Sequence, residues 1–132
     1  GGTANCSVCV SDDPIGSPLV LNPSLMLAMN LPSYEKFINS VKAGGKAFID
    51  STMVEEKSDR TDIDCFYVPA TQLATDNKLN GMANIILLGK FIKESKIFSL
   101  ESVRNAMKKS IPPKKTNMIE LNMKAIEIGM NY

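Results

Sequence analysis

The chain has 132 residues, with 15 Lys and Arg against 14 Asp and Glu, a net charge of +1. That balance gives no electrostatic footing for nucleic acid or an anionic membrane surface. The apolar share is 44% and the charged share 22%, and no run approaches the roughly 18 apolar residues of a membrane span. Histidine is absent, which excludes His-based triads and the commonest zinc ligand. The length predicts one domain over residues 1–132, large enough for a core without staples. No signal-peptide pattern opens the chain, so a cytoplasmic location is expected.

Gly1 to Asn5 reads as a loop-like entry. Cys6 to Val10 has strand composition, and Ser11-Asp12-Asp13-Pro14-Ile15-Gly16 closes it with turn chemistry. Leu19-Val20-Leu21 is a short extended piece. Leu25 to Met29 is apolar throughout, the pattern of a strand covered on both faces. Ser33 is expected to cap a helix carrying Tyr34, Phe37, Ile38 and Val41 on one face. Gly44-Gly45 ends that helix and leads to a strand, Lys46 to Asp50, so that strand, helix and strand form a βαβ unit with parallel strands. Because the glycine pair precedes the strand, it is read as a turn and not as a phosphate cradle. Ser51 to Asp62 is polar and reads as a mobile loop.

Cys65 to Val68 is another strand, stopped by Pro69, with Thr71 as the expected N-cap of the next helix. Asn80-Gly81 breaks that helix, and a more apolar one follows from Met82 to about Glu94. Ser99 caps a further helix, which presents Leu100, Val103 and Met107 and ends at Ile111-Pro112-Pro113. The last helix, about Asn117 to Ile128, shows two apolar stripes, as expected of one deeply buried or packed on another chain. The predicted class is α/β: a three-layer sandwich with a mixed, mostly parallel sheet and a helical C-terminal half.

Candidate chemistry is sparse. Asp12-Asp13 lie in a turn, Glu55-Glu56 in a charged loop, and Asp62 and Asp64 flank a strand; none makes a convincing acid–base pair. Lys108-Lys109 and Lys114-Lys115 read as a solvated helix end and loop. Cys6-Ser7-Val8-Cys9 spells C-x-x-C, but residues three apart on a strand point to opposite faces, and an iron–sulfur cluster wants four thiolates where the chain has three. The cysteines are read as small buried hydrophobes. No catalytic, cofactor-binding or metal-binding residue is assigned.

Several segments, taken together and in order, resemble one family: GGTANCSVCVSDDPIGSPLV, LAMNLPSYEKF, the Gly44-Gly45 turn with its strand, YVPAT, GMANIILLG, SLESVRNAM and LNMKAIEIG. Along essentially the whole chain they are similar to the gamma subunit or domain of 2-oxoacid:ferredoxin (acceptor) oxidoreductases, closest to the 2-oxoglutarate type. The resemblance implies a complex that oxidatively decarboxylates a 2-oxoacid to an acyl-CoA and passes electrons to ferredoxin or another acceptor. It also implies partner alpha, beta and possibly delta subunits that hold thiamine diphosphate and iron–sulfur clusters. The gamma chain itself would then have an assembly role. Family members carry an upstream Gly-rich strand-to-helix block, so the first strand and helix of the sheet are expected to be missing here.

The candidate partner interface is the rim after the strands, Asn30, Ser51, Pro69 and Thr71, together with Thr3 and Asn5 of the entry loop. The competing reading is a stand-alone doubly wound (Rossmann-like) domain for a nucleotide or small molecule, with Asp50 on a ribose hydroxyl. It lacks a G-x-G-x-x-G.

Overall fold

The computed structural model describes residues 4–132. Strands β1 (Leu25–Ala28), β2 (Lys46–Asp50) and β3 (Asp64–Val68) form one sheet in the order β1-β2-β3, parallel throughout. Five helices accompany it: α1 (Leu31–Phe37), α2 (Ala70–Asp76), α3 (Ala83–Ser95), α4 (Leu100–Ser110) and α5 (Asn117–Asn131). The α/β class, the parallel pairing and the helical C-terminal half are as the sequence predicts.

Alternation along β2 explains the layers. Ala47 and Ile49 point to one face, where Met26, Tyr34, Ile38, Val41, Val54 and Ile63 close over them. Phe48 points to the other face, against Ala70, Ala74, Ile86, Leu87 and Ala125. There its ring stacks on Phe66 at 5.1 Å and meets Phe91 edge-on at 5.4 Å. Each such fully buried large side chain contributes about 1.5–3 kcal/mol. A third cluster, Ile92, Ile119, Met123 and Ile126, joins α3 to α5 and receives Val103, Met107 and Ile111 from the α4 side.

The approach of α3 to α5 depends on two glycines. A Cβ at Gly89 would fall on the Ile126 carbonyl, and one at Gly129 on the Ile86 carbonyl. The helices therefore touch backbone to backbone, a separation that only a residue without Cβ permits.

Several local expectations are corrected. Cys6–Val10 is not a strand: it runs as coil, with Val8 and Val10 74% and 75% exposed. Strand composition needs a partner ladder to become a strand, and none lies beside this segment. Cys6 is exposed and Cys9 only half-buried on the arm, so neither is a core hydrophobe, whereas Cys65 is half-buried and packs against the core from β3. β1 is an edge strand whose Leu27 stays 41% exposed, not a strand covered on both faces.

The cap of α1 is Asn30, whose Oδ1 accepts from the Ser33 N–H at 3.0 Å; Pro32 sits in the first turn, where its missing N–H costs nothing. Pro69, not Thr71, occupies the N-cap position of α2. The segment after β2 is fastened, not loose. Arg60 Nη1 donates to the Ile38 and Val41 carbonyls at 2.9 and 2.7 Å, the Ser58 N–H donates to the Tyr67 hydroxyl at 2.8 Å, and Val54 is buried.

A candidate interaction rim at the strand ends

Three parallel strands that end in register bring their C-terminal ends to one side of the sheet, with Ala28 beside Ile49 and Ile49 beside Tyr67. Asn30, Ser51, Pro69 and Thr71 follow directly on those ends, so the structure gathers these four predicted residues on one rim. Asn5 lies apart from it, on the exposed N-terminal arm. Thr3 falls outside the described residues.

The centre of the rim is a residue that sequence reasoning gave another task. Asp50 is fully buried. Its Oδ2 accepts from the Thr71 hydroxyl at 2.6 Å, and its Oδ1 from the Thr52 and Thr71 N–H groups at 3.1 and 3.3 Å. The end of β2 is thus locked to the first turn of α2, with a carboxylate at that helix's positive end. Ser51 N–H donates to the Val68 carbonyl at 2.9 Å, and Thr52 Oγ1 accepts from the Gln72 N–H at 3.1 Å. The carboxylate has no path to a ribose hydroxyl. Sequence could not have found this pairing, because Asp50 and Thr71 are 21 positions apart.

Outside the rim, some of the charged side chains pair with one another. Arg60 grips Asp62 through Nε and Nη2 at 2.9 and 2.6 Å. That grip keeps the Asp62 carboxyl below the usual carboxylate range and raises the guanidinium. Lys46 meets Asp64 at 2.8 Å, and Arg104 meets Glu120 at 2.9 Å. No group of three His, Cys, Asp or Glu able to hold a metal ion occurs among the described residues.

Behind the sheet, Tyr67 lies under Lys57, whose Nζ is 3.6 Å from the ring centroid. Burial pushes the Tyr67 phenol up to about 12 and also raises Tyr34. A raised folded value means that stability is complete below the phenol's ordinary value of 10.0. It is lost as the pH climbs from there through about 12. The expected result is a modest alkaline destabilisation between those limits, since solvent screens a phenol that is only partly buried. Tyr67→Phe should lose a little stability at neutral pH, from the Ser58 bond, and show a flatter alkaline limb in urea titrations.

The fold and rim define a three-layer α/β domain whose strand ends are tied by internal hydrogen bonds. The chain belongs to the family described as pyruvate ferredoxin/flavodoxin oxidoreductase, whose family model matches residues 1–132. It is 32% identical over 114 residues to the 2-oxoglutarate synthase subunit KorC of Methanocaldococcus jannaschii, covering 85% of this chain and 61% of that protein. It is 31% identical over 134 residues to the ketoisovalerate oxidoreductase subunit VorA of Methanothermobacter marburgensis, covering all of this chain and 27% of that protein. The fold matches the keto/oxoacid ferredoxin oxidoreductase gamma subunit of Geobacter sulfurreducens, with TM-score 0.72 and 23% identity, over 82% of this chain and 62% of that one. The chain thus spans less than two thirds of each of these proteins. No helix among the described residues is long and apolar enough to cross a membrane.

Proposed function

We propose that this chain is a gamma-type subunit of a 2-oxoacid oxidoreductase, with 2-oxoglutarate as substrate, acyl-CoA as product, and ferredoxin or a similar carrier as electron acceptor. The observation that carries this reading is the family match along residues 1–132. The relative named as a 2-oxoglutarate synthase subunit supports the choice of oxoacid over the ketoisovalerate enzyme. The chain works by assembly, and the reacting groups belong to alpha, beta and delta partners.

Its own residues do not fit the cofactors of such an enzyme. Cys65 lies on β3 against the core while Cys6 and Cys9 lie on the arm, so the thiols make no cluster cradle. Asp50 is sealed, and among the described residues no Gly-rich turn connects strand to helix. Following the family resemblance, thiamine diphosphate and iron–sulfur clusters are assigned to the partners, and no step is routed through this chain. Asn30, Ser51, Pro69 and Thr71 form the docking rim in this reading, and Thr3 and Asn5 are offered as partner contacts separate from it.

Co-purification under native conditions tests the reading. The expected result is a complex whose other chains carry thiamine diphosphate and iron–sulfur absorbance and which consumes 2-oxoglutarate in a CoA-dependent assay. Asn30→Ala and Ser51→Lys should weaken recovery of those partners at least tenfold while the chain stays folded. Turnover by the isolated chain, or a nucleotide that raises its melting temperature, would overturn the reading in favour of a stand-alone binding domain.

A further inference from the structure

The connector between α2 and α3 fits two tight turns into residues 77–82. The first is a Schellman motif: Lys78 N–H donates to the Thr75 carbonyl at 3.1 Å, and Leu79 N–H to the Ala74 carbonyl at 2.8 Å. It holds Lys78 in the left-handed region, at φ 56°, where glycine is the usual occupant. The second turn follows at once, closed by Met82 N–H on the Leu79 carbonyl at 3.0 Å. Gly81 has φ 81° while Asn80 is not left-handed, which makes this a type II turn. Leu79 and Met82 anchor its ends in the core, and Asn80 and Gly81 stand exposed between them. All of these bonds join residues 74–82 to one another.

Asn80-Gly81 is the one Asn-Gly pair of the sequence. We infer that it is a self-modifying site, at which opening of the turn lets Asn80 convert to isoaspartate. In that conversion the Gly81 nitrogen, having lost its proton to solvent base, attacks Asn80 Cγ. The Cγ–Nδ2 bond breaks, and the amide nitrogen takes up a proton and leaves as ammonia. Water then opens the resulting succinimide ring at either carbonyl. Opening at the backbone carbonyl routes the chain through Cβ and Cγ as isoaspartate, and opening at Cγ leaves aspartate. Water is the sole co-reactant. Glycine favours the attack because it puts no Cβ beside the nitrogen.

The closed turn opposes this reaction. Ring closure needs the Gly81 nitrogen in line with Cβ about the Asn80 Cα–C bond. A type II turn holds its second residue at ψ of about +120°, which swings that nitrogen away. The chemistry is slow beside the opening of a turn, so its rate follows the fraction of time the connector is open. Lys78 raises that fraction, because its left-handed backbone is strained where glycine would not be, and opening releases the strain. The product cannot close the same turn. Isoaspartate inserts an extra backbone carbon and a carboxylate between two buried anchors, Leu79 and Met82, so α2 loses its fixed joint to α3.

Prolonged incubation of the 132-residue chain at mildly alkaline pH tests the proposal. Isoaspartate is counted as methyl groups transferred from S-adenosylmethionine by a protein-isoaspartate methyltransferase, and peptide mapping locates it. The expected result is isoaspartate at Asn80 ahead of every other asparagine or aspartate. The folded chain should form it roughly tenfold or more slowly than the same chain in urea. Lys78→Gly should slow it by about a further fivefold when folded and leave the rate in urea unchanged. Asn80→Gln should abolish the mapped signal with unchanged circular dichroism. Equal rates in the folded and urea-unfolded chains overturn the proposal, as does a folded Lys78→Gly variant that reacts as fast as wild type. So does a folded chain that stays free of isoaspartate at Asn80 while the unfolded chain converts fully.

Discussion

Gly129→Ala is expected to destabilise the protein by about 3 kcal/mol or more, and Gly89→Ala by a similar amount. The sign is the informative part. At an ordinary helical position, replacing glycine by alanine stabilises by up to about 1 kcal/mol, because the unfolded chain loses freedom. Here the new methyl would land on a backbone carbonyl of the facing helix, Ile86 for Gly129 and Ile126 for Gly89. Backbone cannot swing aside as a side chain can, so α3 and α5 must separate. That separation opens the cluster of Ile92, Ile119, Met123 and Ile126. Overpacking of this kind costs about 1–3 kcal/mol where side chains can yield, and more where they cannot. Against a total stability of about 5–15 kcal/mol the loss is large. Urea midpoints measure it, and Gly16→Ala is the control, since a Cβ there meets nothing within 4 Å. Unchanged midpoints for both helix variants would mean that the helices do not meet backbone to backbone.

Asp50→Ala is expected to cost about 3–5 kcal/mol. Removing the carboxylate leaves the Thr71 hydroxyl and the Thr52 and Thr71 N–H groups without their acceptor at a buried strand end. Asp50→Asn keeps one acceptor oxygen but replaces the other with a donor facing the Thr71 hydroxyl, so a smaller loss of about 1–2 kcal/mol is expected. Thr71→Val removes the hydroxyl and leaves the carboxylate with only backbone donors. Its loss should fall well short of additive with Asp50→Ala, because both changes break one network. Additive losses in the double mutant would show that the two residues act independently.

Much of the framework was legible because its signals are local. β2 spans Lys46–Asp50 as the sequence predicts, and Ser99 caps α4 as expected, its Oγ accepting from the Ser102 N–H. Short apolar runs bounded by turn residues identified the strands, and helical spacing identified the apolar lines of α5, of which Ile119, Met123 and Ile126 are all buried. What failed depends on partners distant in sequence. The cap of α1 was misplaced because Asn30 and Ser33 are both capping residues, and the choice turns on which one's backbone is extended. The capping role of Thr71 gave way to Asp50, and the fastening of the Ser51–Asp62 segment depends on Arg60 reaching carbonyls 19 and 22 positions away. Cys6–Val10 was misread for a related reason: propensity reports what a segment can become, and a ladder decides whether it does. The rim itself was visible only as strand-ending residues. Its organisation around a buried carboxylate was not.

The passage from β2 to β3 has one last implication. Parallel neighbours are usually bridged by a helix, whose regular pitch absorbs a change of a residue or so at a solvent-facing turn. Here the bridge is irregular backbone, clamped at its start by Asp50 and near its finish by Arg60. It therefore acts as a ruler of set length: homologous chains with this architecture can vary the letters between the clamps far more freely than their number.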